Sequence, residues 1–308
     1  MSLRLRLLNA GLRALARPRL ARLTDPAVAR RDLSMTARLF LARPKGVTVD
    51  RVAADGPVPP HLLLTPPGAG PGILVYFHGG GYIAGSPETH IGLLAALARA
   101  AGVCVIAPQY RLAPEHPFPA APEDAFALWS HLRQSGHRPE EIALGGDSAG
   151  GGLALLLLAR LCAQATPPAA VLTFSPWTDL SGSGDSCRDN ARRDPILPVG
   201  RLGELAGFAL GELAADDPRV SPLFADYPGC PPLFFAVSGS EILRDDTLRL
   251  ARRLAAEGAW VEVDIHPDCP HAWPMFAGRL PEADATVRRA GAFLRQVFNQ
   301  PAEGSAGS

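Results

Sequence analysis

Gly146-Asp147-Ser148-Ala149-Gly150 has the form G-x-S-x-G and lies where an apolar run, Ile142 to Leu144, gives way to an Ala/Leu-rich helical stretch. A serine held between glycines on a sharp strand-to-helix turn exposes its hydroxyl, and the following N–H, that of Ala149, faces whatever carbonyl the serine attacks. The pattern alone is common, and a serine at a helix start can simply cap the helix. Its placement between strand and helix favours the nucleophile.

His78-Gly79-Gly80-Gly81 follows another apolar run, Ile73 to Phe77. Glycines allow a backbone to approach a substrate with no Cβ in the way, so Gly79 and Gly80 are expected to join Ala149 in an oxyanion hole. His78 and Gly81 are expected to support that loop. A phosphate cradle would call for a following G-K-[ST], which is missing.

A serine hydroxyl is a weak nucleophile until a base accepts its proton. In strand-turn-helix hydrolases the chain order is serine, acid, histidine, so the base must come late, and His266 and His271 are the two candidates. His266 ends the last predicted strand, whereas His271 lies in the loop beyond it and is the expected base. A metal site from His266, Asp268, Cys269 and His271 is too crowded and proline-bent to be preferred, and no cofactor is implied. For the acid, Glu241 comes first after the seventh predicted strand. Asp245 is the alternative, although Asp245 and Asp246 open the next helix, where the helix dipole also favours a carboxylate.

Eight short β-rich runs position these groups: 47–53, 61–65, 73–77, 103–107, 142–144, 170–174, 233–237 and 260–265. From the third onward they alternate with helical stretches at 91–100, 122–134, 149–165, 245–257 and 281–297, which predicts an α/β fold with a mostly parallel sheet covered on both faces. Residues 177–232 are too long for a simple crossover. The expected division is N-terminal cap helices (1–46), a first core part (47–176), a cap or lid insertion (177–232), a second core part (233–300) and a disordered tail (301–308). Tyr82, Trp177 and Phe208 are candidate pocket walls, with ordinary core packing as the competing role.

The 308 residues carry 30 basic and 30 acidic side chains, so no global field collects nucleic acid. Five widely spaced cysteines without a CxxC pair fit a reducing compartment, and the longest apolar run falls far short of a membrane span. A cytoplasmic protein is expected, with a small molecule as partner and a homodimer left open. At the N-terminus Arg4, Arg6, Arg13, Arg17, Arg19 and Arg22 interleave with Leu5, Leu8, Leu12 and Leu15 at near-helical spacing. This basic amphipathic helix is expected to pack over the body of the protein, a membrane-surface role being the alternative.

Five motifs in order resemble the hormone-sensitive-lipase-like, or bacterial family IV, carboxylesterases. They are the His78 to Tyr82 loop, the stretch Tyr110 to Ala120 (YRLAPEHPFPA), the elbow extended to Gly151, Ser175-Pro176-Trp177-Thr178-Asp179-Leu180, and the His271 loop. The resemblance implies the α/β-hydrolase fold with an eight-stranded sheet, a helical cap built partly from the N-terminus, and cofactor-free hydrolysis of short- to medium-chain acyl esters through an acyl-enzyme. It also implies that Tyr110 to Glu115 supports the oxyanion loop. Two positions depart from the family: Glu241 stands where aspartate is usual, and Gln109 where aspartate is frequent. A lactone hydrolase, a deacetylase or an arylamidase would use the same groups. A non-catalytic small-molecule receptor on this scaffold would be expected to lack one of them.

Overall fold

The structure, a computed structural model, describes residues 1–42 and 45–299. The predicted tail, 301–308, lies outside the described residues. Eight strands form one sheet: β1 (Thr48–Val52), β2 (His61–Thr65), β3 (Ile73–Phe77), β4 (Cys104–Pro108), β5 (Ile142–Asp147), β6 (Ala170–Phe174), β7 (Leu233–Ser238) and β8 (Val261–His266). Their spatial order is β1-β2-β4-β3-β5-β6-β7-β8, with the β1–β2 and β2–β4 pairs antiparallel and the remaining pairs parallel. The eight predicted runs correspond to these strands with shifts at the ends. The largest is at β5, which continues through Gly145 and Gly146 to Asp147.

β3, β5, β6 and β7 are buried along their whole length, as strands covered on both faces must be. Side chains alternate between two cores. Val75, Phe77, Leu144 and Phe235 face one; Leu74, Tyr76, Leu172 and Phe234 face the other. The covering helices, in chain order, are α1 (Leu3–Gly11), which continues through a π-turn (Leu12–Ala16) into α2 (Arg17–Arg22), then α3 (Pro26–Phe40), α4 (Pro87–Ala101), α5 (Ala120–Gln134) and α6 (Ser148–Ala163). They are followed by the short α7 (Ser186–Asp189), α8 (Leu202–Leu210), α9 (Arg244–Ala256) and α10 (Pro281–Asn299). Among the described residues no helix is long and apolar enough to cross a membrane.

Parallel register brings the strand ends that matter to one edge of the sheet. Phe77 pairs with Gly146, Phe174 with Ala236, and Ser238 with His266. Chain order reverses between β4, β3 and β5, and the crevice beyond the carboxyl ends at such a switch point is where open α/β sheets hold ligands.

The N-terminal helix is tied down by specific groups. Leu5 is fully buried among α4 and α10, Ser2 binds both carboxylate oxygens of Glu282, and Asn9 Nδ2 donates to the Asp268 carbonyl at 2.8 Å. α10 lies unusually close to α4, because a Cβ at Gly291 would stand 2.5 Å from the Ala100 carbonyl carbon. Gly291→Ala is therefore expected to destabilise the fold by about 1–3 kcal/mol, the range for overpacking a filled contact. A urea titration checks it, and an unchanged midpoint would show that the two helices separate at no cost.

Candidate active site

Ser148 is the first residue of α6 and has φ of 53°, in the left-handed region that a serine adopts only under constraint. Such a conformation costs about 1–3 kcal/mol, which the surroundings must offset. They do so through contacts that only glycine permits. A Cβ at Gly146 would lie 2.3 Å from the Gly150 carbonyl oxygen, and one at Gly150 would lie 2.1 Å from that of Phe77. The two glycines of G-x-S-x-G thus let the helix start press against both its own strand and the end of β3. The Trp177 N–H closes the turn on the Ser148 carbonyl at 2.9 Å.

His271 and Glu241 come together from separate loops. His271 Nδ1 lies 2.6 Å from Glu241 Oε2, with both side chains almost wholly buried. The other oxygen, Oε1, accepts from the Ser238 N–H at 2.6 Å and from Ser175 Oγ at 2.9 Å. Ser175 Oγ in turn accepts the Ala272 N–H at 3.1 Å, linking the ends of β6, β7 and the histidine loop. His271 Nε2 is buried without a hydrogen-bond partner among the described residues. Burial works against charging this imidazole, but the hydrogen bond and charge of Glu241, with Asp194 and Asp147 behind, outweigh it, so His271 titrates above its ordinary range.

The alternative acid is occupied elsewhere. Asp245 accepts from the Ser186 N–H at 2.9 Å and from Arg244 Nε at 3.0 Å. Asp246 is buried under the Thr178 and Asp179 N–H groups, 2.9 Å from each, and burial pushes its carboxyl up to about 8. His266, the other candidate base, receives the Asp268 N–H at 3.3 Å on Nδ1.

One expectation about the glycine loop changes. The Gly79 N–H points inward, 3.2 Å from Asp147 Oδ1, where Tyr76 Oη also donates at 3.0 Å. His90 Nε2 is 3.3 Å from the second oxygen, Oδ2. It also lies 3.2 Å from the Gly79 nitrogen, and we assign that amide to the carboxylate, the stronger acceptor. Burial resists the charge on Asp147, yet His90 and Tyr76 hold it below the usual carboxylate range. Gly79 is therefore a strut between loop and elbow, with its N–H directed to Asp147 and not toward the crevice. Gly80 and Gly81 have N–H groups with no acceptor among the described residues.

His78 stacks on Tyr110 with centroids 4.3 Å apart, and Tyr110 Oη donates to the His78 carbonyl at 2.7 Å. Burial, helped by nearby His90, pushes His78 down to about 3, so it is neutral packing. The Ala113 N–H donates to the Tyr82 carbonyl at 2.9 Å. The segment from Tyr110 thus supports the loop, as the family resemblance implied. Of the expected wall residues, Tyr82 and Trp177 are buried with ring centroids 6.1 Å apart, and Trp177 Nε1 donates to the Asp179 carbonyl. Tyr82 also lines a small cavity with Ala113, Phe118 and Ala209, and its hydroxyl has no partner among the described residues. Phe208 is half-buried on α8.

Several supporting residues had escaped the sequence reading. Asn190 Nδ2 donates to the carbonyls of Gly239 (3.0 Å) and Glu241 (2.9 Å), and Asp194 Oδ2 accepts the Ile242 N–H at 2.9 Å. The stretch after β6 therefore grips the backbone on both sides of Glu241. Arg30, on α3, donates to the carbonyls of Ile83 (2.7 Å) and Ala113 (2.9 Å) and makes a bidentate pair with Glu115. Asp147 stood inside the elbow motif and Asp194 before a proline, but nothing in their spacing named their partners.

A family model for the α/β-hydrolase fold matches residues 74–275. The chain belongs to that family. It is 37% identical to an esterase of the bacterial hormone-sensitive lipase family, with a TM-score of 0.90 over 97% of this chain and 99% of that one. The esterase EstE5, whose crystal was soaked with p-nitrophenyl butyrate, is 32% identical with a TM-score of 0.91, covering 97% and 100% of the two chains. An acetyl-hydrolase of Streptomyces hygroscopicus is 40% identical over 74% of this chain and 76% of its own length. These neighbours place the chain among the hormone-sensitive-lipase-like members, a group of carboxylic ester hydrolases.

Arg30 fixes the loop that follows the three glycines, so Arg30→Ala is expected to lower turnover of a p-nitrophenyl ester by roughly tenfold, by displacing groups around the substrate. KM should change less than kcat, and Arg30→Lys should recover little because it cannot make the bidentate pair. Steady-state kinetics on folded protein check this. Equal kcat for all three proteins would remove Arg30 from the support of the loop.

Proposed function

We propose that this protein is a serine carboxylesterase that hydrolyses short-chain acyl esters, with Ser148 as nucleophile, His271 as base and Glu241 as the orienting acid. The observation that carries the reading is the 2.6 Å pair between His271 Nδ1 and Glu241, which leaves Nε2 buried and without a partner among the described residues, available to take the Ser148 proton. Ser148 Oγ attacks the ester carbonyl as Nε2 takes its proton, and the N–H on Nδ1 stays bonded to the carboxylate. The oxyanion accepts from Ala149, in the first turn of α6, and from Gly80 and Gly81, each such donor typically lowering the barrier by about 2.7–4 kcal/mol. The alcohol leaves with the proton from His271. Water then enters, gives its proton to the same nitrogen, and releases the acid and Ser148.

The residues at 177–232 and the N-terminal helices would form the cap that selects the ester. α8 supports this role, since a methyl group on Gly81 would be 3.4 Å from Leu205 Cδ1, placing the helix over the oxyanion loop. Short acyl chains are supported by two relatives: the S. hygroscopicus protein carries the name acetyl-hydrolase, and EstE5 was soaked with a butyrate ester.

With p-nitrophenyl acetate, butyrate, octanoate and decanoate, kcat/KM should be highest for the two short esters, and a fluorophosphonate should label Ser148. No turnover of any ester together with no labelling would overturn the enzyme reading in favour of a receptor.

The pH profile tests the pair. The base must be neutral, so kcat/KM should fall as pH drops through the pKa of His271, above its ordinary 6.5. In Glu241→Gln the burial of the imidazole is no longer opposed by a carboxylate, so this acid limb should move to lower pH. Turnover should drop by about 10⁴-fold, as in other triads that lose their acid. Should Asp245→Asn collapse turnover while Glu241→Gln does not, Asp245 is the acid.

A further inference from the structure

Residues 1–41 contain nine arginines against two aspartates, a net charge of +7 in a chain whose total is zero. The same segment holds seven of the eleven large apolar side chains that are exposed among the described residues. Arg30 is used to hold the loop after the glycines and Arg19 pairs with Asp32, but Arg6, Arg31, Arg38 and the exposed apolar side chains have no role in the fold or the proposed reaction. α1 buries Leu5 and Asn9 and turns Leu3 and Leu7 outward, both about two-thirds exposed. α3 packs Ala29 and Leu33 inward and leaves Met35, Leu39 and Phe40 exposed. On each helix the outward apolar residues are flanked by exposed arginines, Arg4 and Arg6 on α1, Arg31 and Arg38 on α3.

The two faces belong to one surface. Arg4 at the start of α1 donates to the Arg279 carbonyl, and Ala42, just past α3, meets the adjoining Gly278. Further along, Arg19 of α2 pairs with Asp32 of α3. The start of α1 and the end of α3 therefore meet the same turn, 278–279, and lie on one side of the molecule. A second copy of this chain would bring the same positive charge against it, and a nucleic acid would leave the leucines and Phe40 in water. An anionic bilayer satisfies both halves of the surface, arginines at the headgroups and apolar side chains just below them.

We propose that the outer face of α1 and α3 is a docking surface for anionic lipid bilayers, lying on the membrane without spanning it. Each basic side chain near a charged bilayer strengthens binding several-fold, and the attraction weakens with salt. The full-length protein should co-sediment with vesicles of phosphatidylglycerol and phosphatidylcholine, and only weakly with phosphatidylcholine alone. Arg6→Gln with Arg31→Gln and Arg38→Gln should weaken binding by roughly a hundredfold. Leu7→Asp with Leu39→Asp should weaken it by roughly tenfold or more. These side chains are solvent-exposed, and both variants should keep the wild-type melting temperature. Equal binding to neutral vesicles, or undiminished binding by both variants, overturns the proposal. So does light scattering that shows a wild-type dimer which the leucine variant dissolves, since the surface would then be a contact between copies. Hydrolysis is not the readout, so the outcome is independent of the proposed reaction.

Discussion

The left-handed backbone at Ser148 is the constraint around which the rest of the molecule is arranged. A φ of 53° presents the serine at the tip of a strand-to-helix turn, and the turn is held only where a neighbouring strand end and a helix start can nearly touch. Parallel pairing of β3 with β5, Phe77 opposite Gly146, supplies the neighbour. Gly150 supplies the room. Asp147 locks the arrangement from beneath, because one buried carboxylate takes both the Tyr76 hydroxyl and the Gly79 amide. The Ser148 turn and the glycine loop are thus one unit, and Gly79 belongs to its frame.

The His271–Glu241 pair is held by a different logic. Glu241 has one oxygen committed to Ser175 and Ser238, which leaves the other to face His271. A glutamate in place of the usual aspartate reaches the imidazole because its longer side chain is anchored at that first oxygen. Its backbone is held by Asn190 and Asp194 from the long stretch after β6, while the loop carrying His271 is touched by Asn9 from α1. Segments far apart in the chain therefore fix the pair. Arg30 does the same for the loop after the glycines.

The fold was legible because periodicity reports burial. β3 reads as a continuous apolar run and β6 as one interrupted only by Thr173, and their observed limits agree with that reading. β5 ended too early in the sequence reading, since Gly145 and Gly146 carry no apolar side chain although the ladder continues through them. Tyr82 and Trp177 were marked as pocket walls because aromatic residues near a motif serve lining and packing equally well, and both are buried.

By itself the sequence determined the chemistry-bearing types and their order: the serine between glycines, the glycine loop, the late histidine, and an acid among Glu241, Asp245 and Asp246. Each is announced by a local pattern at the end of a strand. Tertiary structure decided which carboxylate meets the imidazole and which glycine amides remain free, because both depend on hydrogen bonds between residues 30 to nearly 100 positions apart. It also decided which face of the basic N-terminal helix is buried. Spacing marks an amphipathic helix, but only the packing of Leu5 and Asn9 shows that Leu3 and Leu7 are left looking outward.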